Sequence, residues 1–171
     1  MLLAALVLLG GAAHARAPGP PKNTLLLDLG LHVIGAGYQR TVSGRVALSV
    51  TAGLYDPWTT TDEVGDIRGG YLRIRPYVFV VGAAPSGLWI SPFVQAAMVS
   101  AHLAKTAGGS KPGGAFAFGA ALGYAFLFGD WLHLSLGAGG QYHYVEVASD
   151  ERSPAFHGLH WHIDATLGVA F

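Results

Sequence analysis

Residues Leu159–Phe171 read LHWHIDATLGVAF. Leu159, Trp161, Ile163, Ala165, Leu167, Val169 and Phe171 fall on one side of an extended chain. His160, His162, Asp164, Thr166, Gly168 and Ala170 fall on the other. Period two is the signature of a β-strand, because successive side chains point to opposite faces.

The same rhythm recurs upstream. Leu132, Leu134, Leu136, Ala138, Gly140, Tyr142 and Tyr144 oppose His133, Ser135, Gly137, Gly139, Gln141 and His143. Phe116, Phe118, Ala120, Leu122, Tyr124, Phe126 and Phe128 oppose a row of Ala and Gly. Leu72, Ile74, Pro76, Val78 and Val80 oppose Arg73, Arg75, Tyr77 and Phe79, and Val46–Leu54 alternates likewise. Leu88–Leu103 is apolar and alternates less cleanly, with Ser91 and Gln95 on one face. Asn23–Gly30 and His32–Thr41 are read as two strands joined by a tight turn near Gly30-Leu31. The total is eight, and an even count lets a meander begin and end on the same side of a membrane.

The connections differ in length. Val42-Ser43-Gly44, Ala83–Gly87 and Gly129-Asp130-Trp131 are short; Asp56–Gly69, Lys105–Gly113 and Ala148–Gly158 are long and polar. Short turns on one side and long loops on the other is the pattern of a membrane barrel. The acidic stretch Thr59–Arg68 reads as a solvated loop.

Composition agrees. Charged residues make up 12% of the 171, about half the usual quarter. Gly numbers 25 and mean hydropathy is +0.41. That excludes disorder, which needs low hydrophobicity and high charge. Ten Lys and Arg balance ten Asp and Glu, so nucleic acid is not an expected partner. With no Cys, disulfide scaffolds, Cys-based zinc sites and thiol nucleophiles are excluded.

Met1–Ala13 (MLLAALVLLGGAA) is too short an apolar run for a spanning helix. Two small-x-small patterns follow, Ala13-His14-Ala15 and Ala15-Arg16-Ala17. Residues 1–15 are therefore read as a secretory signal peptide, with 17 as the alternative cleavage point. Residues 16–22 form a Pro-rich lead-in, and 23–171 the barrel.

A soluble barrel would turn its apolar face inward and carry charge outside. Here the apolar face is bulky and continuous, and the other is small and polar. Small polar residues suit the crowded interior of an eight-stranded barrel, so the bulky face is placed against lipid. Trp58, Tyr71, Trp89, Trp131, Tyr142, Tyr144 and Trp161 fall near strand ends and are read as an interfacial girdle.

Residues Asn23–Phe171 resemble the small eight-stranded outer-membrane barrels of the OmpX, OmpW and OmpA-barrel class. They are most similar to a poorly characterised group of short barrels whose first strands read like Asn23–Arg45 here. The ending Leu167-Gly168-Val169-Ala170-Phe171 resembles the terminal signal read by the barrel assembly machinery, with Phe171 as its last residue. The resemblance implies a transmembrane, porin-like barrel in a Gram-negative outer membrane, reached through the periplasm. Outer-membrane lipid and the assembly machinery are then its partners. In that group a Glu often stands where Gln39 stands here.

Two clusters invite chemistry. If the last hairpin is centred on Arg152 and Ser153, His143 lies opposite His162, with His160 on the same face. Three imidazoles would suffice for a divalent metal with an open position; otherwise no cofactor is expected. Asp28, Arg73, Arg75, Gln95 and Asp164 point inward and are read as a lumenal polar network, because buried charges must be paired. Similar small barrels include a lipid A deacylase with a His-x-Ser pair and a Glu, which His133, Ser135 and Glu146 invite. His133 and Glu146 lie roughly 40 Å apart along one strand, so no shared proton and no catalytic residue is expected. The reading is a non-enzymatic surface or envelope-integrity barrel with three long outer loops. The alternatives are a narrow channel for small or apolar solutes, then lumenal metal binding, then a lipid-modifying enzyme.

Overall fold

The computed structural model describes residues 19–55, 67–102, 110–147 and 156–171. The signal segment, Trp58 and the bulk of the three long connections lie outside the described residues. Eight strands run in chain order: β1 Asn23–Gly30, β2 Val33–Ser43, β3 Val46–Tyr55, β4 Ile67–Ala83, β5 Ser86–His102, β6 Ser110–Phe128, β7 Leu132–Val147 and β8 Phe156–Ala170. Each pairs antiparallel with the next, and β1 closes on β8, so the sheet is a closed barrel. Closure runs from Thr24↔Ala170 to Asp28↔Thr166, and the Leu31 amide then donates to the Ile163 carbonyl at 3.2 Å.

The expected turns are present, some shifted by a residue or two. β2 continues through Ser43, so its turn is Gly44-Arg45 and not Val42–Gly44. The turn between β4 and β5 narrows to Ala84-Pro85. Between β6 and β7, Gly129 and Asp130 have φ of 56° and 61°. Two consecutive left-handed residues match the twist of a tight hairpin, and Gly and Asp tolerate that conformation.

The faces divide as the alternation requires. Leu48, Val50, Ile74, Val94, Phe118 and Leu122 lie outside, exposed. Asp28, Ser49, Arg73, Arg75, Gln141 and Asp164 lie inside, buried. The interior is not uniformly small, however. Tyr55, Tyr71, Tyr77, Phe79, Trp89 and Phe93 are buried within it. Two of these correct the girdle expected from sequence. Trp89 is 0% exposed and Tyr71 only 4%, both in the lumen. Their position near strand ends suggested the interface, but parity along the strand decides the face. Trp89 shares its side of β5 with Ser91 and Gln95. Trp131, Tyr142, Tyr144 and Trp161 are exposed, as the girdle requires.

Glycine makes the room for Trp89. It stands beside Gly123 on β6, which pairs directly with Gly137 on β7. A Cβ at Gly123 would meet Trp89 Cζ2 at 2.3 Å, and one at Gly137 would meet Cη2 at 2.4 Å. The indole therefore covers bare backbone that glycine would otherwise leave unpacked. Gly137→Ala should cost about 1–3 kcal/mol by overpacking. In a Trp89→Leu background the same change should cost clearly less. Urea unfolding of the four variants in lipid vesicles gives the coupling; equal costs in both backgrounds would rule out the contact.

Candidate functional site

The lumen is built in three levels. At mid-depth, β1, β4 and β8 bring four charges together. Arg73 Nη1 lies 3.1 Å from Asp28 Oδ2 and 4.0 Å from Asp164 Oδ1, and Arg75 Nη1 lies 2.5 Å from Asp164 Oδ1. Two guanidiniums against two carboxylates leave the cluster neutral. Hydrogen bonds hold it in place. Arg73 Nε donates to Gln95 Oε1 at 2.9 Å, and Arg75 Nε donates to Ser91 Oγ at 2.8 Å. Tyr71 and Thr51 hydroxyls both donate to Asp28 Oδ2, at 2.9 and 3.0 Å. Aromatic faces complete the cage: Arg75 sits 4.9 Å from the Tyr77 ring centre, 5.0 Å from Trp89 and 5.5 Å from Phe93. A desolvated guanidinium is held by such faces as well as by its carboxylate. Asp28, Arg73, Arg75, Gln95 and Asp164 thus stand in one cluster. Sequence reading missed Tyr71, Thr51 and Ser91 as its partners, though Thr51 and Ser91 stood on the inward-facing side.

Below this level, toward the short turns, Trp89 Nε1 donates to Ser135 Oγ at 2.9 Å. His133 Nε2 donates to the Pro85 carbonyl at 3.2 Å. The His-x-Ser pair is therefore committed to packing the barrel's turn end. Glu146 lies at the far end of β7, where its carboxylate accepts from Tyr144. These three residues do not assemble.

Above the charges lies a histidine level, and its register departs from expectation. His143 pairs with Gly158, not His162; His160 faces Gln141 and His162 faces Gly139. The slip is four residues. Even slips preserve which face each side chain takes, so alternation cannot detect them. As a result His143 and His160 do meet, with ring centres 5.4 Å apart, while His162 sits against Phe93 at 4.4 Å and bonds Gln141 Oε1 through Nδ1 at 3.1 Å. The third ring beside His143 is His32, from the β1–β2 turn, at 5.3 Å. Tyr55 closes the group, its hydroxyl 3.0 Å from His143 Nδ1. His32 lies in a turn, where alternation carries no information. The two ring pairs stand edge to face, at 67° and 74°. Among the described residues no three His, Asp or Glu side chains surround a common point as metal ligands would.

Two solved structures share the fold. Neisserial surface protein A superposes with a TM-score of 0.55 at 11% identity, covering 88% of this chain and 95% of that one. The N-terminal β-barrel domain of Pseudomonas aeruginosa OprF gives 0.50 at 14% identity, covering 88% and 96%. No protein-family model matches the sequence, and no curated protein matches it. The fold is that of the small eight-stranded outer-membrane β-barrels.

The charge cluster makes a direct stability prediction. Arg75→Met should destabilise the barrel by about 3–5 kcal/mol, because it leaves Asp164 buried without its partner. Adding Asp164→Leu should recover part of that loss. Urea titration in vesicles reads both, and a double variant worse than the sum of the singles would refute the pairing.

Proposed function

We propose that this protein is an outer-membrane barrel serving as a non-enzymatic envelope component, with its long connections outside and its short turns in the periplasm. The observation that carries the reading is the filled lumen. Across its middle the Arg73, Arg75, Asp28 and Asp164 cluster pairs buried charges with one another. Beneath it Trp89, Phe79, Tyr77 and Ala121 pack as an apolar layer. A conducting pore needs a polar, hydrated path, and an aromatic layer below an ion-paired layer opposes one.

The outer wall supports the membrane placement. Its continuous apolar surface would be an aggregation hazard in water and is satisfied by lipid. The similar neisserial protein is by its name a surface protein.

Two measurements test this. Expressed with its own leader, the chain should fractionate with the outer membrane and change gel mobility on boiling. A soluble product with no shift would mean the faces are assigned inside out. Reconstituted in planar bilayers, the folded barrel should show no conductance above leak; discrete channel openings would favour the narrow-channel alternative.

A further inference from the structure

At the end opposite the short turns, the outer wall of β6, β7 and β8 carries three rows of side chains fixed by direct strand pairing. In the outermost row Gly114 pairs with Glu146. In the next, Phe116 pairs with Tyr144 and Tyr144 with His157. In the third, Phe118 pairs with Tyr142 and Tyr142 with Leu159. Parity puts all three rows on the outward face, and every one of these residues is exposed.

Gly114 opens a recess in the outermost row. A Cβ there would meet nothing within 4 Å. Pro112, Phe116, Tyr144 and Glu146 wall the recess, whose volume is about 480 Å³. The lumen-facing Ala97, Gly113 and Ala115 border it where Gly114 leaves the wall bare. Two contacts build its polar side. The Tyr144 hydroxyl donates to Glu146 Oε2 at 3.2 Å, which holds the carboxylate beside the recess with Oε1 left to accept. His157 stacks on Tyr144, with ring centres 5.5 Å apart and planes 10° apart. No ion pair among the described residues takes up Glu146; the pairs lie in the lumen. The described cation on this rim of the outer wall is Arg68, which lies on β4, three strands away, and pairs with Ser100.

We propose that this recess binds the primary ammonium of a zwitterionic lipid headgroup of the ethanolamine class, with an N–H donated to Glu146 Oε1. The assignment rests on the outer-membrane reading above. The rows follow the order of such a lipid from water inward. Glu146 stands at the level of the ammonium. Tyr144 and His157 stand at the level of the phosphate, where an imidazole N–H can donate to a phosphate oxygen. Phe118, Tyr142 and Leu159 lie along the acyl chains. The rings of Phe116 and Tyr144 offer their faces to any ammonium. The carboxylate discriminates, because a primary ammonium brings three N–H donors and a quaternary one brings none.

The test is native mass spectrometry of the folded, detergent-solubilised protein with phosphatidylethanolamine and phosphatidylcholine of identical chains supplied equally. The two lipids carry the same net charge and differ only in the methylation of the amine. The protein should retain phosphatidylethanolamine roughly three- to fivefold more, the scale of an exposed charge pair. Glu146→Gln should bring the two lipids to parity. Gly114→Leu, which fills the recess and keeps the carboxylate, should do the same. Arg40→Gln, at the other end of the barrel, should leave the preference intact. Millimolar free ethanolamine should not displace the lipid; if it does, the recess takes any small amine and the lipid assignment is wrong. Equal retention by the unaltered protein, or a preference surviving in Glu146→Gln or Gly114→Leu, would also overturn it. Heat-modifiable mobility is run on every sample. A folded barrel without preference sinks this site alone, whereas failure to form a heat-modifiable barrel sinks the membrane reading beneath it. If Glu146→Gln alone fails to fold, Tyr144→Phe is scored instead, with a reduced preference expected and an unchanged one counting against the site.

Discussion

Everything in this molecule depends on β1 finding β8. A backbone amide or carbonyl in hydrocarbon has no water to bond, and each one left unmet costs several kcal/mol. A strand therefore survives in lipid only with a partner on both edges, and a sheet only if it closes. Closure here runs through five residue pairs, a reciprocal pair of backbone bonds between Asn23 and Phe171, and a further bond from Leu31 to Ile163. Side chains then follow the pleat. On the membrane reading proposed above, one face meets lipid, and the other fills a cylinder too narrow for anything but side chains.

The filling is solved with charge and aromatic rings together. Burying Arg73 and Arg75 is costly, and each is offset by a carboxylate, a neutral hydrogen-bond partner and ring faces. The large rings need space, which β6 and β7 supply by placing glycine and alanine opposite them. Gly123, Gly137, Ala121 and Ala125 line the wall that Trp89 packs against. The glycine enrichment visible in composition is thus partly the complement of one indole, and not only an aid to wall curvature.

This explains what could be read from the sequence and what could not. Faces, strand number and the turn ends follow from period two and from Gly-Asp or Ala-Pro punctuation, because those are local. Arg75 and Asp164 face inward by the same local rule. Register is not local. The β7–β8 pairing differs by four residues from a hairpin centred on Arg152 and Ser153, because nothing in the sequence pattern of that connection marks its centre. Trp89 and Tyr71 depart for a different reason: an aromatic near a strand end resembles a girdle residue, but the parity of its neighbours points it inward. His32 could be found only by knowing how far the first hairpin reaches.

That reach shapes the outer end. β1 has eight residues and β8 fifteen, so their ladder stops at Leu31–Ile163 while β8 continues outward beside β7. The tip of the β1–β2 hairpin consequently meets the lumen partway up the longer strands, and it delivers His32 to His143. Were β1 as long as β8, its turn would stand clear of His143 and the imidazole level would lose a ring. Histidine suits this height because it tolerates both surroundings found there. His143 is buried, while His32 and His160 are half-buried. An imidazole can pack edge to face with its neighbour and still offer a polar atom to water, which neither an aliphatic side chain nor a permanent charge does. The lumen thus carries aromatic rings with His133 and Ser135 at the turn end, paired charge at mid-depth, and imidazoles beside the buried Val33, Val99 and Val145 toward the other end.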